Sequence, residues 1–223
     1  VVLRVGLSSV WVTMISITAT VCLGMILAKS FHVEKNLAVL ISSGTAICGG
    51  SAIAAMAPSI GAAQAETAVA MAVVFLLNGV ALIIFPPLGK FLAMTEGQFG
   101  LWSALAIHDT SSVVGAAAIF GSQALAIATT VKLTRALWIL PLAFVGGKIY
   151  KTNTKAPFQW FLVGFLAAAA LRMVLPSFES AFDFGATVGK HMMTGTLFLI
   201  GGGLSRPGLK KIGIKLLLMA LLF

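Results

Sequence analysis

Charge is what this chain has least of. Only 9% of its 223 residues are charged, with 6 acids, against 59% apolar residues and a mean hydropathy of +1.06. That scarcity excludes a soluble domain and leaves a polytopic helical membrane protein. Cysteine is almost as rare. Cys22 and Cys48 both fall inside apolar spans, which excludes a disulfide framework. With 3 histidines, no His-Glu-x-x-His, no Gly-x-Ser-x-Gly and no glycine-rich phosphate loop, the chain does not read as an enzyme. No metal or cofactor is expected. The net charge of +9 comes without stacking aromatics or a nucleic-acid motif, so nucleic acid is not an expected partner. The partner is the lipid bilayer, and the bases gather between apolar spans as the positive-inside rule requires.

What is present is a series of apolar runs, read as eight spans: Val5–Ala28, Asn36–Ala57, Thr67–Leu88, Gln98–Phe120, Ala124–Val145, Pro157–Leu175, Ala186–Leu204 and an eighth after Lys215. Pro86 and Pro87 are taken to end the third. Alternate loops hold Lys29 and Lys35; Lys90; Lys148, Lys151 and Lys155; and Arg206, Lys210, Lys211 and Lys215. That sorting predicts cytoplasmic basic loops and the first residue outside. The chain begins with Val and stops at Phe223 within an apolar run. The expectation is a single transmembrane domain over residues 1–223, truncated at both ends.

One stretch, Ile41–Pro58, departs from a plain span. It carries Gly44, Gly49 and Gly50 with Ser42, Ser43, Thr45, Cys48 and Ser51. Each glycine disfavours a helix interior by about 1 kcal/mol relative to alanine. A break at membrane depth must face protein, a cavity or a ligand. A second half-helix starting near Ser51 would aim its N–H groups and positive dipole end at an anion. Close helix packing by small residues explains the same composition equally well. Because a re-entrant hairpin here would flip every later loop, the charge sorting favours a full but interrupted crossing. The stretch also has an echo. Ala46-Ile47-Cys48 and Ser51 recur sixty residues later as Ala106-Ile107-His108 and Ser111.

Charges inside the spans are the sharper signal, since each costs at least ~2.5 kcal/mol at helix centre. His108, Lys132 and Arg135 fall about 12–15 Å from a membrane edge at 1.5 Å per residue, close to the midplane where transporters place their sites. Lys132 and Arg135 share a helix face and read as anion ligands, the alternatives being a pair with Asp109 or snorkelling. Asp109 reads either as a proton relay beside His108 or as a counter-ion. Ser111 and Ser112 would line the same cavity. Asn78, Lys190, His191, Met192, Met193 and Gly201 to Gly203 read more simply as packing, interfacial or helix-stop residues. Ser51, His108 and Asp109 could be drawn as a hydrolase trio, but nothing in their spacing demands it.

Three motifs, GTAICGGSAIAA at Gly44–Ala55, AIHDTSSVVGAA at Ala106–Ala117 and ATTVKLTRALWILP at Ala128–Pro141, resemble the YeiH-type family of bacterial inner-membrane proteins, which is named for sulfate export. Asp109 stands where that family commonly has Glu, and Ala106 where it commonly has Ser. The resemblance implies an inverted-repeat transporter fold with interrupted helices, here the second and seventh spans, and often a homodimer. It implies a secondary transporter exporting sulfate or sulfite, with proton coupling. The substrate site would comprise Thr45, Cys48, Gly49, Gly50, Ser51, Ser111, Ser112, Lys132 and Arg135, and the proton site His108 and Asp109. A proton-coupled cation antiporter, with Asp109 as ion ligand, is the competing reading.

Overall fold

The computed structural model describes residues 2–151, a few positions between residues 164 and 195, and residues 214–222. Helices form the fold, with no strand among the described residues: α1 (Val2–Phe31), α2 (Lys35–Ala46), α3 (Gly50–Ile60), α4 (Gln64–Phe91), α5 (Glu96–Ala106), α6 (Thr110–Phe120), α7 (Ser122–Ala136), α8 (Ile139–Tyr150) and α9 (Ile214–Leu221). Trp11–Phe31, Gln64–Phe91 and Ser122–Tyr150 are long and apolar enough to cross a membrane. Most of the expected sixth and seventh spans, with Lys190, Met193 and Gly201 to Gly203, lies outside the described residues.

Helix length separates crossing elements from those that stop midway. The 28 residues of α4 extend about 42 Å, beyond a hydrocarbon core of about 30 Å. The four helices α2, α3, α5 and α6 have 11 or 12 residues each, about 17 Å, and reach only the midplane.

They pair as hairpins. The Asn36 amide, at the start of α2, donates to Glu66 in the first turn of α4 at 3.4 Å, so the chain leaves α3 at the end where it entered α2. A Cβ placed on Gly44 would lie 2.9 Å from the Ile53 side chain, a contact that a straight helix nine residues long could not make. The second pair repeats the pattern. Phe99 in α5 stacks on Phe120 in α6 at 3.9 Å, and Glu96 accepts from the Gln123 and Ala124 amides at 2.7 and 3.1 Å, capping α7.

The expected full crossing at Ile41–Pro58 is therefore corrected to a re-entrant hairpin. The fourth span is likewise a hairpin, broken at Ile107 to Asp109, rather than one continuous helix. Spans two and four do not cross, and the charge sorting changes with them. Lys29, Lys35 and Lys148 stay at one end, where Lys35 sits over the Tyr150 ring at 4.7 Å. Lys90 lies at the opposite end, with the start of α5. The sequence argument failed because hairpins flip the loops in pairs. Two of them restore the original sidedness by Lys148, so that among the described basic loop residues Lys90 changes side.

Two smaller differences concern proline. Pro86 and Pro87 do not end α4, which runs on to Phe91. Only two backbone donors are lost there, a loss that membrane helices tolerate. Between α7 and α8 the helix tightens at Leu137 and Trp138, where Trp138 N–H bonds Arg135 O at 3.0 Å, and Pro141 follows in the first turn of α8.

Around this frame α1 covers the first hairpin. Ile17 packs with Ala46, Ile47, Cys48 and Ala136. Met219 and Ala220 of α9 pack with Ala28, Leu40 and Ala70. Small residues line the second hairpin's contact with α7, among them Ala104, Ala117, Ala124 and Ala128, and let the helices approach closely.

Candidate functional site

The two hairpins enter from opposite ends and their tips meet. The first tip is Ile47-Cys48-Gly49; the second is Ile107-His108-Asp109. These are the two copies of the sequence echo. A Cβ on Gly49 would lie 3.3 Å from Asp109 Cα, and Gly49 has φ 68°, a left-handed conformation that suits glycine. Glycine is required here both by the turn and by the contact.

Each break exposes one helix C-terminus and one helix N-terminus at mid-membrane. The C-terminal carbonyls are met by α7. Lys132 Nζ donates to Ile107 O at 2.6 Å and to Ala104 O at 3.4 Å. Arg135 Nη1 donates to Leu105 O at 2.9 Å and to Ala104 O at 3.3 Å, and Nη2 donates to Ala46 O. One guanidinium thus joins both hairpins. Cations at helix C-termini are favourable because the dipole end is negative. Lys132 and Arg135 are 0% and 1% exposed. Neither alternative to the anion-ligand reading, a pair with Asp109 or snorkelling, is seen among the described residues.

The N-termini differ from each other. Asp109 caps α6, its Oδ2 accepting from Ser112 N–H at 3.0 Å and Ser112 Oγ at 3.1 Å. No side chain caps α3, whose N-cap is Gly49. Ser51 lies in its first turn, not at the cap as the sequence suggested. Gly50, Ser51, Asp109 and Ser111 are half-buried, whereas Thr45, Cys48 and Ser112 are buried. The accessible part of the site is therefore the pair of half-helix N-termini, and Lys132 and Arg135 stand behind it.

Asn78, read from sequence as a packing residue, anchors the second tip. Its Oδ1 accepts from the His108 and Asp109 amides at 3.0 and 3.2 Å. A lone amide at the centre of an apolar span was the available signal. Glu96, which caps α7, carried no such signal. Several buried polar atoms at the crossing have no partner: Thr45 Oγ1, Asn78 Nδ2, His108 Nδ1 and Arg135 Nε. Because His108 Nδ1 is unpartnered and Asp109 Oδ2 holds Ser112, the hydrogen bonds of a Ser51–His108–Asp109 relay are not formed.

The family described as conserved hypothetical protein 698 matches residues 1–220. The chain belongs to this family. A UPF0324 membrane protein of Geobacter sulfurreducens is 50% identical over 219 residues, covering 98% of this chain and 71% of its own length. One from Bdellovibrio bacteriovorus is 48% identical over 222 residues, covering 96% and 68%. One from Bacteroides thetaiotaomicron is 45% identical over 216 residues, covering 94% and 64%. The chain thus spans about two thirds of the length of these relatives. No solved structure matches. The relatives are named as membrane proteins, and with its apolar helices this family member is one too. Their names carry no substrate.

Proposed function

We propose that this protein is a secondary transporter of a small oxyanion, sulfate or sulfite, bound where the two hairpin tips meet. The observation that supports this reading is the charge balance at the crossing. Lys132 and Arg135 are buried and their partners are neutral backbone carbonyls, while Asp109, the carboxylate at the tips, is half-buried and engaged with Ser112, so formal positive charge is in excess among these groups. A buried net charge is costly unless paired, so the site favours an anionic occupant. The uncapped N-terminus of α3 offers N–H groups for it. A cation antiporter fits less well, because its ion would add to the excess.

In this reading each hairpin with the crossing helix after it forms one unit, and the two units are related by inversion about the midplane, an arrangement used by secondary transporters. Lys29, Lys35 and Lys148 put their end of the bundle in the cytoplasm, in a bacterial inner membrane. Asp109, half-buried at the tip, is the group suited to carry a coupling proton, with His108 beside it.

The test is labelled sulfate exchange by the full-length protein in proteoliposomes, with Ser51→Asp as the control. An acid in the first turn suits a helix N-terminus, so that variant should fold. Its charge should repel an anion and abolish exchange. Unchanged exchange in Ser51→Asp, or none by the folded wild type, would refute an anion site at this position. Exchange driven by a cation and indifferent to sulfate would support the antiporter.

A further inference from the structure

A cavity of about 340 Å³ opens beside the second tip, between α4, the end of α5 and the end of α9. Its polar end is formed by Asn78 and His108, and its walls by residues such as Leu77, Ala81, Phe85 and Ile107. Asn78 and His108 are 3% and 7% exposed, and each keeps a polar atom without a partner, Nδ2 and Nδ1. The Asn78 amide is oriented by its Oδ1, which accepts from two backbone amides, so both Nδ2 hydrogens remain to be donated. Unpaired polar atoms buried at mid-membrane are costly, and a ligand that accepts from the Asn78 Nδ2 hydrogens and from the imidazole N–H removes the cost.

We infer that this cavity takes the apolar body of an amphipathic organic anion whose oxyanion head meets Asn78 and His108. The inference rests on the transporter reading and narrows its substrate class. Size argues for it. At about 30 Å³ for each water-sized volume, the cavity holds roughly ten heavy-atom groups, so a five-atom oxyanion would leave half of it empty. Chemistry argues for it as well, because donors at one end and aliphatic and aromatic walls along the rest match an anionic head on an apolar body. Position agrees. Val74, one turn before Asn78 on α4, touches the Gly49 position, so the polar end adjoins the crossing of the tips.

The test compares equilibrium binding of benzenesulfonate and sulfate, which share a head group, to the purified full-length protein. Benzenesulfonate should bind at least tenfold more tightly. Ala81→Trp and Ile84→Trp, which fill the apolar walls, should each erase that advantage while sulfate affinity stays within twofold. Asn78→Asp, which keeps the Oδ1 acceptor but replaces the donor, should weaken benzenesulfonate at least tenfold. Equal affinity for the two anions, or an advantage that survives both tryptophan variants, would overturn the inference. Tight benzenesulfonate binding without exchange in proteoliposomes would refute transport and leave this site standing. Sulfate exchange with no benzenesulfonate advantage would do the reverse.

Discussion

The Lys132 ammonium donates to the Ile107 carbonyl at 2.6 Å, so a charge on α7 closes the open C-terminus of α5. Lysine in an apolar span invites a ligand-binding reading. Here the backbone provides its partner, because a broken helix leaves carbonyls that lipid cannot satisfy. Lys132→Ala should orphan the Ile107 carbonyl, at about 1–3 kcal/mol, while Ala104 keeps its bond from Arg135. Thermal melting of the detergent-purified protein should show a clear loss, and Lys132→Arg should recover more than half of it. A melting temperature unchanged in Lys132→Ala would show that this bond does not hold the tip. The alanine variant is consequently a poor probe of anion binding taken alone.

Arg135 reaches Ala46 and Leu105 with two nitrogens of one planar group, which a lysine cannot imitate. Arg135→Lys should release the first tip while the second stays held. Cys48, buried at that tip, reports the release. With the exposed Cys22 replaced by alanine, maleimide should label Cys48 at least tenfold faster in Arg135→Lys than in its parent. Equal rates would mean that the guanidinium does not clamp the hairpins.

Asp109 caps α6, and asparagine caps a helix nearly as well. Asp109→Asn should therefore fold with near-parental stability, whereas Asp109→Ala should lose about 1 kcal/mol. If Asp109 carries the coupling proton, Asp109→Asn should exchange sulfate without responding to an imposed pH gradient. An intact response would move proton coupling elsewhere.

The hairpins make a topological prediction that needs no substrate. Cysteines at Lys35 and Gln64 should react with an impermeant thiol reagent from one face of sealed vesicles, and cysteines at Lys90 and Gln123 from the other. All four positions are exposed. Labelling of Lys35→Cys and Gln64→Cys from opposite faces would restore the full crossing.

Much of the site was legible in the chain. The glycines and hydroxyls of Ile41–Pro58 pointed to a broken helix as strongly as to close packing, and the echo of Ala46-Ile47-Cys48 in Ala106-Ile107-His108 falls on the two tips that meet. What the echo did not say is that its second copy is broken too. His108 and Asp109 take the place of Cys48 and Gly49, so the glycine signal is missing and an aspartate cap replaces it. Hairpin and crossing also share one hydropathy profile, because a mostly apolar run of similar length fills either path.

By itself the sequence determined that the chain lives in a bilayer, that Ile41–Pro58 is a weak place for a helix, and that Lys132 and Arg135 lie on one helix face. Those properties follow from local chemistry: apolar content, glycine's poor helix propensity and the 3.6-residue period. Only the tertiary structure decided that the broken helices turn back, that their tips touch, and that the two cations meet carbonyls of other helices. These depend on contacts between residues 25 to 89 positions apart, such as Lys132 with Ile107 and Arg135 with Ala46, and no local pattern encodes which distant carbonyl a buried charge will find.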